Sequence, residues 1–207
     1  MPSLKTAAVR ALRREYSRRF AKAPPQDVIA LALRLMDRPG FESRFIAHEL
    51  IGHHRAAFTS RRAKELAQFG RGLDRWEAVD TVACYLSGPA WRESQVSDAL
   101  IHRWARSKDH WRRRTALVST VPLNNPARGG RGDADRTLTV CRMLINDRDD
   151  RVVKALSWAL RELAKREPRA VRQFVAEHES ALAPRVKREV QNKLKTGLKN
   201  PRGKTGR

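Results

Sequence analysis

The sequence of 207 residues has few of the features that mark secreted or membrane proteins. It contains two cysteines, Cys84 and Cys141, without a Cys-x-x-Cys pair, which argues against a disulfide framework or a zinc module and favours a reducing compartment. No apolar run approaches the roughly 18 residues that a membrane span needs, and the first residues contain no apolar core of a signal peptide. We therefore expect a cytoplasmic protein with no membrane partner.

Acidic residues are also scarce: 22 Asp and Glu stand against 44 Lys and Arg, which gives a formal net charge of +22. Because so many like charges repel one another in a folded domain, a polyanionic partner is the simplest explanation for them. Nucleic acid is the leading candidate, ahead of an anionic membrane surface. Basic residues concentrate within 1–23 and 185–207, and the pattern leaves open whether these segments are solvated tails or bind phosphates.

Alternating patterns typical of strands are absent, and helical periodicity extends over almost the whole chain. The sequence therefore predicts an all-α fold, with one HEAT-like helical repeat domain over residues 1–196 and a basic, disordered tail over 197–207. Breakers containing Pro and Gly divide the chain into about ten segments of helix length. The longest loop candidate is 122–132.

A weak internal repeat supports this architecture. Alanines deep in predicted helices recur at intervals of 36, 33 and 39 residues, at Ala47, Ala83, Ala116 and Ala155. These intervals are close to the length of a HEAT-like helix pair, and a small residue lets paired helices approach closely. Stacked pairs form a solenoid whose concave groove is its usual ligand surface, so we expect a basic groove here.

The helix predicted over 149–165 carries a tryptophan outside its apolar face. On a helical wheel, Trp158 lies nearly opposite that face and beside Arg151, Lys154 and Arg161. Such an indole can stack on a sugar or base while the cations contact phosphates. Packing of Trp158 against an adjacent helix pair is an open alternative. The apolar face consists of Val152, Ala155, Leu156, Ala159, Leu160 and Leu163.

The helix predicted over 73–86 has a similar arrangement. Trp76 and Asp80 lie one turn apart at the margin of its apolar stripe, and an Asp beside an indole is partly desolvated. In a chain so rich in arginine, a simple ion pair of Asp80 is an equally plain interpretation. The apolar stripe consists of Ala78, Val79, Val82 and Leu86.

A third helix, predicted over 110–121, places Arg114 among apolar positions, whereas Arg112 and Arg113 point elsewhere. An arginine in an apolar stripe requires a partner, either a carboxylate such as Asp80 or a phosphate. The apolar positions are Trp111, Leu117, Val118 and Val121.

The segment His48–His53 superficially resembles a zinc-binding helix. Its histidines are five residues apart, so they do not share the face that the i, i+4 spacing of metalloproteases provides. We therefore expect structural histidines and no metal site. Phosphate-binding loops, nucleophile elbows and dinucleotide fingerprints are absent as well, so the sequence predicts no cofactor.

Three ordered motifs resemble those of the bacterial AlkD-type DNA alkylation repair glycosylases. Residues 76–80 (Trp-Glu-Ala-Val-Asp) look like that family's Trp-Asp-x-Val-Asp segment, and 111–117 resemble its Trp-x-x-Arg-x-Ala helix. Residues 154–162 (Lys-Ala-Leu-Ser-Trp-Ala-Leu-Arg-Glu) are similar to its Lys-Ala-Ile-x-Trp-x-Leu-Arg-Glu helix, which is the most specific of the three. The match spans roughly 41–194, and the arginine-rich first helix lies outside it.

The resemblance implies a monofunctional glycosylase that hydrolyses the N-glycosidic bond of N3- and N7-alkylated purines in duplex DNA, during base excision repair. Trp76 and Trp158 would flank the deoxyribose of the lesion. Asp80 would stabilise positive charge on that sugar and position the attacking water, and Arg114 would contact a nearby phosphate. We expect a nucleoid-associated monomer.

Further DNA contacts are predicted from the cations beside these motifs, namely Arg112, Arg113, Lys154 and Arg161. Two other functions remain open at this point. One is a HEAT-like protein that binds DNA or RNA without catalysis, and the other is a solenoid that binds an acidic protein. Steep salt dependence of DNA binding would separate the second from the others.

Overall fold

A computed structural model describes residues 6–60 and 63–201, and within this part of the chain every regular element is helical, which confirms the all-α prediction. The chain divides into two compact units, Met1–Val96 and Ser97–Arg207. None of the described helices is long and apolar enough to cross a membrane. The concave groove and the single domain over residues 1–196 stay predictions.

The first unit is centred on α3, which packs against α1, α2 and α6. At the contact with α1, Val9 is buried against Phe45 and Ile46, and Phe41 packs on the same cluster. Apolar side chains therefore join α1 to α3. The helices of this unit are α1 (Thr6–Arg19), α2 (Pro25–Met36), α3 (Phe41–His53), α4 (Arg55–Ser60), α5 (Ala63–Phe69), α6 (Trp76–Val82) and, after a π-helical turn (Ala83–Ser87), α7 (Gly88–Arg92).

The second unit is built around α12, which packs against α9, earlier in the sequence, and against α14, later in the sequence. Asp109 and Asp149 cap α9 and α12 by accepting hydrogen bonds from the amides of Trp111 and Arg151, each at 2.8 Å. The helices of this unit are α8 (Asp98–Ala105), α9 (His110–Val118), α10 (Val121–Asn124), α11 (Ala134–Met143), α12 (Asp150–Leu163), α13 (Pro168–Glu177) and α14 (Pro184–Thr196), with a 3₁₀ turn (Pro126–Arg128) before α11.

The alanine repeat corresponds to buried helix contacts. Ala47, Ala83, Ala116 and Ala155 are each 0% exposed. In the second unit α8 pairs with α9, α11 with α12, and α13 with α14, while α9, α12 and α14 contact one another in succession. This stacking of successive helix pairs is the local arrangement that the repeat predicts.

The longest predicted loop is more ordered than its composition indicates. Pro122 lies in the first turn of α10, where its missing N–H costs nothing, and the 3₁₀ turn follows. Gly130 is packed so closely that a Cβ there would lie 2.6 Å from the amide nitrogen of Asn125. Position 130 therefore needs glycine because the backbone of 122–125 approaches it closely, and not because of an unusual backbone conformation.

The predicted tail begins where α14 ends. Gly197 adopts a left-handed conformation with φ 75°, as is common after a helix, and Lys199 Nζ lies 3.4 Å from the buried carboxylate of Glu189. The start of the tail is thus bound to α14, and residues 202–207 of the disorder prediction lie outside the described residues.

Candidate functional site

In the first unit, α6 presents Trp76 at its first position, with 56% of the residue exposed. Arg75 precedes it in an extended conformation, so the helix starts abruptly at the indole. Asp80 follows one turn later and is partly exposed, while Ala78, Val79 and Val82 are buried on the opposite side. A large aromatic side chain that a short helix leaves exposed is available to a ligand.

The helix widens into the π turn directly after Val82, three residues beyond Asp80. Gly52 of α3 faces this turn, and a Cβ at Gly52 would lie 2.9 Å from the Cβ of Tyr85. The His53 ring also packs on Tyr85, with 5.4 Å between ring centroids. Single π turns inside helices are frequent at functional sites. The close approach of α3 therefore fixes the segment that follows Asp80.

Buried histidine and glutamate side chains of α3 have structural partners. His48 Nε2 donates to the carbonyl oxygen of Phe69 at 3.1 Å, and burial lowers the pKa of His48 to about 4, against the opposing effect of this hydrogen bond. Glu49 is 1% exposed in its side chain and forms ion pairs with Arg10 and Arg13 of α1. His53 Nδ1 donates to the Glu49 carbonyl oxygen at 2.8 Å.

In the described part of the chain no cluster of His, Cys, Asp or Glu is spaced to hold a metal ion.

In the second unit, Arg114 lies in the apolar stripe of α9 as predicted and is 7% exposed. Its Nη1 donates to the carbonyl oxygen of Arg151 at 2.6 Å, which joins α9 to the first turn of α12. The sequence predicted a carboxylate or a phosphate as the partner of Arg114. The structure shows a main-chain carbonyl as one of its partners. A buried guanidinium held in this way has little rotational freedom left to lose when an anion binds.

Trp158 is half-buried on α12, and the predicted apolar face of that helix is buried along its whole length. Arg151 lies two turns earlier on the same side of α12 as Trp158. Its guanidinium carbon is 5.3 Å from the centroid of the Trp111 ring, and the His110 ring packs on the same indole at 4.8 Å. Trp111 and Arg151 therefore form an aromatic and cationic pair that the helical pattern did not predict, because that pattern placed Trp111 among the apolar positions.

The predicted DNA contacts fall into two groups. Lys154 is half-exposed and pairs with Asp150 one turn away, at 2.6 Å. Arg112 lies over the Trp104 ring, with its guanidinium carbon 5.9 Å from the centroid. Neither contact buries the cation, so both side chains can exchange these partners for a phosphate.

Arg113 and Arg161 have stronger intramolecular contacts. Arg113 Nε donates to Asp147 Oδ2 at 2.6 Å, and its Nη1 donates to two main-chain carbonyls. Arg161 Nε donates to Ser157 Oγ at 3.1 Å and lies 3.7 Å from Glu189, whose carboxylate accepts a 2.6 Å bond from Ser157. Burial lowers the pKa of Arg161, and Glu189 opposes this effect. That these two arginines bind DNA stays a prediction.

The sequence matches a family model described as DNA alkylation repair enzyme over residues 3–194. A similar solved structure is described as a predicted DNA alkylation repair enzyme from Enterococcus faecalis. It has a TM-score of 0.74 and 16% sequence identity, and the match covers 93% of this chain and 87% of that one. No curated protein matches the sequence.

The fold is therefore the all-α architecture shared with that structure. The family match spans nearly the whole chain, and the chain belongs to the DNA alkylation repair enzyme family. Its role lies in the repair of alkylated DNA.

Proposed function

We propose that the protein is a DNA glycosylase that releases N3- and N7-alkylated purines from duplex DNA by hydrolysis. The observation that carries this proposal is the exposed Trp76 one turn before the carboxylate of Asp80, in a member of a DNA alkylation repair family. A carboxylate and an indole face are the two groups that stabilise a transient cation on a sugar.

The chemistry of the substrate explains why one carboxylate suffices. Alkylation at N3 or N7 makes the purine cationic, so it leaves without protonation by a general acid. The bond between C1′ and the purine nitrogen breaks with its electron pair going to the base, which becomes neutral, and C1′ becomes oxocarbenium-like. Water then adds to C1′ and loses a proton, which yields the free alkylated base and an abasic strand.

In this proposal Asp80 stabilises the cationic sugar and orients the water, and Trp76 and Trp158 contact the deoxyribose. Arg114, held by the Arg151 carbonyl, binds a phosphate near the lesion. The Arg151 guanidinium, which lies over the Trp111 ring, supplies a further cation for the DNA backbone. No metal or cofactor takes part in this mechanism.

The net charge of +22 supports binding to the DNA backbone. The exposed cations Lys154 and Arg151 and the partly exposed Arg112 are the first candidates for phosphate contacts, with Arg113 and Arg161 as further ones. Each phosphate contact releases counterions, so affinity for duplex DNA falls steeply as salt rises. We place the enzyme in base excision repair, acting as a monomer on the nucleoid.

The test is single-turnover release of 7-methylguanine from a methylated duplex. Asp80→Asn lowers the rate by about 10²–10³, the usual effect of removing one well-placed electrostatic group. Asp74→Asn is the matched control, because Asp74 lies six residues earlier in the same unit and its side chain is exposed. This control keeps the wild-type rate.

Two results would contradict the proposal. Equal loss of activity in both variants would indicate a general effect of charge rather than a role for Asp80. Salt-sensitive binding of the duplex by the folded wild type without release of base would leave a DNA-binding protein without glycosylase activity on this lesion.

A further inference from the structure

We propose that a cleft in the first unit, separate from the Trp76 and Asp80 site, binds a phosphate-bearing ligand of nucleotide size. The cleft has a volume of about 340 Å³ and lies between the end of α2, the start of α3 and the segment after α5. This volume falls at the lower end of the range for small-molecule sites, about 300–1,000 Å³.

The anion-binding group in this cleft is Arg44. Its Nη1 donates to the carbonyl oxygen of Gly72 at 2.9 Å, and no described carboxylate forms an ion pair with it. Its Nε is buried and has no hydrogen-bond acceptor among the described residues. A buried N–H without an acceptor is costly, and an oxygen of a bound anion would remove that cost.

The backbone at Gly72 shapes this arrangement. Gly72 has φ +61°, a conformation that favours glycine, and a Cβ there would lie 3.0 Å from Arg44 Nη1. The guanidinium is therefore held against a main-chain carbonyl, which fixes its orientation without neutralising its charge. A fixed guanidinium without an ion-pair partner is suited to a phosphate group, which accepts two parallel hydrogen bonds.

The other lining residues define the rest of the ligand. Arg71 is exposed and supplies a second guanidinium, so two cations line one cleft. Asp37 and Gln68 provide oxygen acceptors for amino groups, and Leu33 and Met36 provide apolar surface. Phosphate, hydrogen-bond donors and an apolar ring system occur together in a nucleoside monophosphate.

The same chemistry has two sources, a free mononucleotide and the 5′-phosphorylated end of a DNA strand. The experiment measures binding to the full-length protein by titration calorimetry. The probes are deoxyguanosine monophosphate, deoxyguanosine, inorganic phosphate, and a short single strand with or without its 5′-phosphate. The variants are Arg44→Gln and Arg71→Gln, with Arg34→Gln as control, since Arg34 is exposed on α2 and does not line the cleft.

We expect saturable binding of the monophosphate that is weakened about tenfold or more in Arg44→Gln and Arg71→Gln, the loss of one charge-assisted hydrogen bond. Arg34→Gln binds as the wild type does, and deoxyguanosine binds more weakly than its monophosphate. If the 5′-phosphate strengthens binding of the strand in the same residue-dependent way, the strand end is a ligand. Otherwise the free nucleotide is the ligand.

The proposal is overturned if the monophosphate shows no saturable binding at millimolar concentration, or if Arg34→Gln weakens binding as much as the two cleft variants do. Equal binding of deoxyguanosine and its monophosphate also overturns it. If Arg44→Gln fails to fold, Arg71→Gln decides the question, because Arg71 is exposed. Release of 7-methylguanine is measured separately, and Arg71→Gln leaves it unchanged.

Discussion

The two helices that carry the candidate tryptophans differ in how firmly they are held. The seven-residue α6 begins with an exposed Trp76, passes into a π turn and packs against α3 within its unit. The fourteen-residue α12 is capped by Asp149 and packs between α9 and α14, with Trp158 half-buried. The Trp76 indole is thus largely exposed on α6, whereas the Trp158 indole is partly buried in the packing of α12.

The same contrast holds for the cations. Arg14, Arg18 and Arg19 of α1 are exposed, while in the second unit Arg113, Arg114 and Arg161 are bonded to acceptors on other helices or turns. Basic composition alone therefore does not identify a DNA-binding surface. Some arginines stabilise the fold and others remain available to phosphates.

The largest expected effect is the pH dependence of stability that His48 of the first unit produces. His48 has a pKa of about 4 in the folded protein and about 6.5 when exposed, so the unfolded chain binds more protons between these values. Burial of His48 therefore costs no stability above pH 6.5, and the free energy of unfolding falls by about 3 kcal/mol as pH falls from 6.5 towards 4. Chemical denaturation between pH 4 and 7 measures it.

The matched comparison is His48→Gln with His102→Gln, a partly exposed histidine of the second unit. His48→Gln flattens the pH dependence, and His102→Gln leaves it as in the wild type. A pH profile that is the same in all three proteins would show that His48 is not held neutral in the folded state.

The second prediction separates the two tryptophans. Trp76→Ala and Trp158→Ala each lower the rate of base release roughly tenfold or more, because a desolvated cation–π contact contributes about 2 kcal/mol. Only Trp158→Ala also lowers the free energy of unfolding, by about 1–2 kcal/mol, because its indole is half-buried. Trp76→Ala changes stability by less than about 0.5 kcal/mol.

Single-turnover rates and denaturant titrations of both variants provide the measurements. Loss of stability in Trp76→Ala with an unchanged rate would reverse the roles given to these two helices. Trp91→Phe, in the buried core of the first unit, is a control that lowers stability without a specific effect on the rate.

The smallest expected effects come from two arginines of α12. The Arg161 side chain is 17% exposed and lies beside Glu189, whereas that of Arg151 is 52% exposed. Arg161→Gln lowers the free energy of unfolding by about 1–2 kcal/mol, because it leaves Glu189 with one fewer partner. Arg151→Gln instead lowers the slope of log affinity against log salt for duplex DNA by about 1.

Binding titrations at several salt concentrations distinguish these outcomes. If Arg161→Gln reduced the salt slope at unchanged stability, Arg161 would be a phosphate contact, as the sequence predicted. The contact of Arg161 with Glu189 would then belong only to the protein without DNA.

Much of the fold followed from periodicity. The apolar faces of α6 and α12, Leu117 and Val118 of α9 and the repeating alanines are buried as predicted, because burial follows local helical spacing, whereas Trp111 is only partly buried. The margin position of Asp80 and the placement of Arg114 in an apolar stripe are recovered for the same reason.

Features that depend on distant parts of the chain were not predictable. The π turn after Val82 packs closely against Gly52 through Tyr85, and these two residues lie 33 positions apart in sequence. The pairing of Arg161 with Glu189 needs α14 to pack on α12, and a helical wheel shows only that Arg161 is polar. The cleft around Arg44 likewise requires three separate segments.

The most direct test of the central claim is the identity of the products from a duplex containing one N7-methylguanine. After incubation with the wild-type protein, mass spectrometry measures the free base, and denaturing electrophoresis before and after alkali measures the strand. We predict free 7-methylguanine together with an uncut strand that alkali cleaves at the lesion. An unchanged duplex that the folded protein nevertheless binds would contradict glycosylase activity on this lesion, and cleavage of the strand without alkali would contradict a monofunctional enzyme.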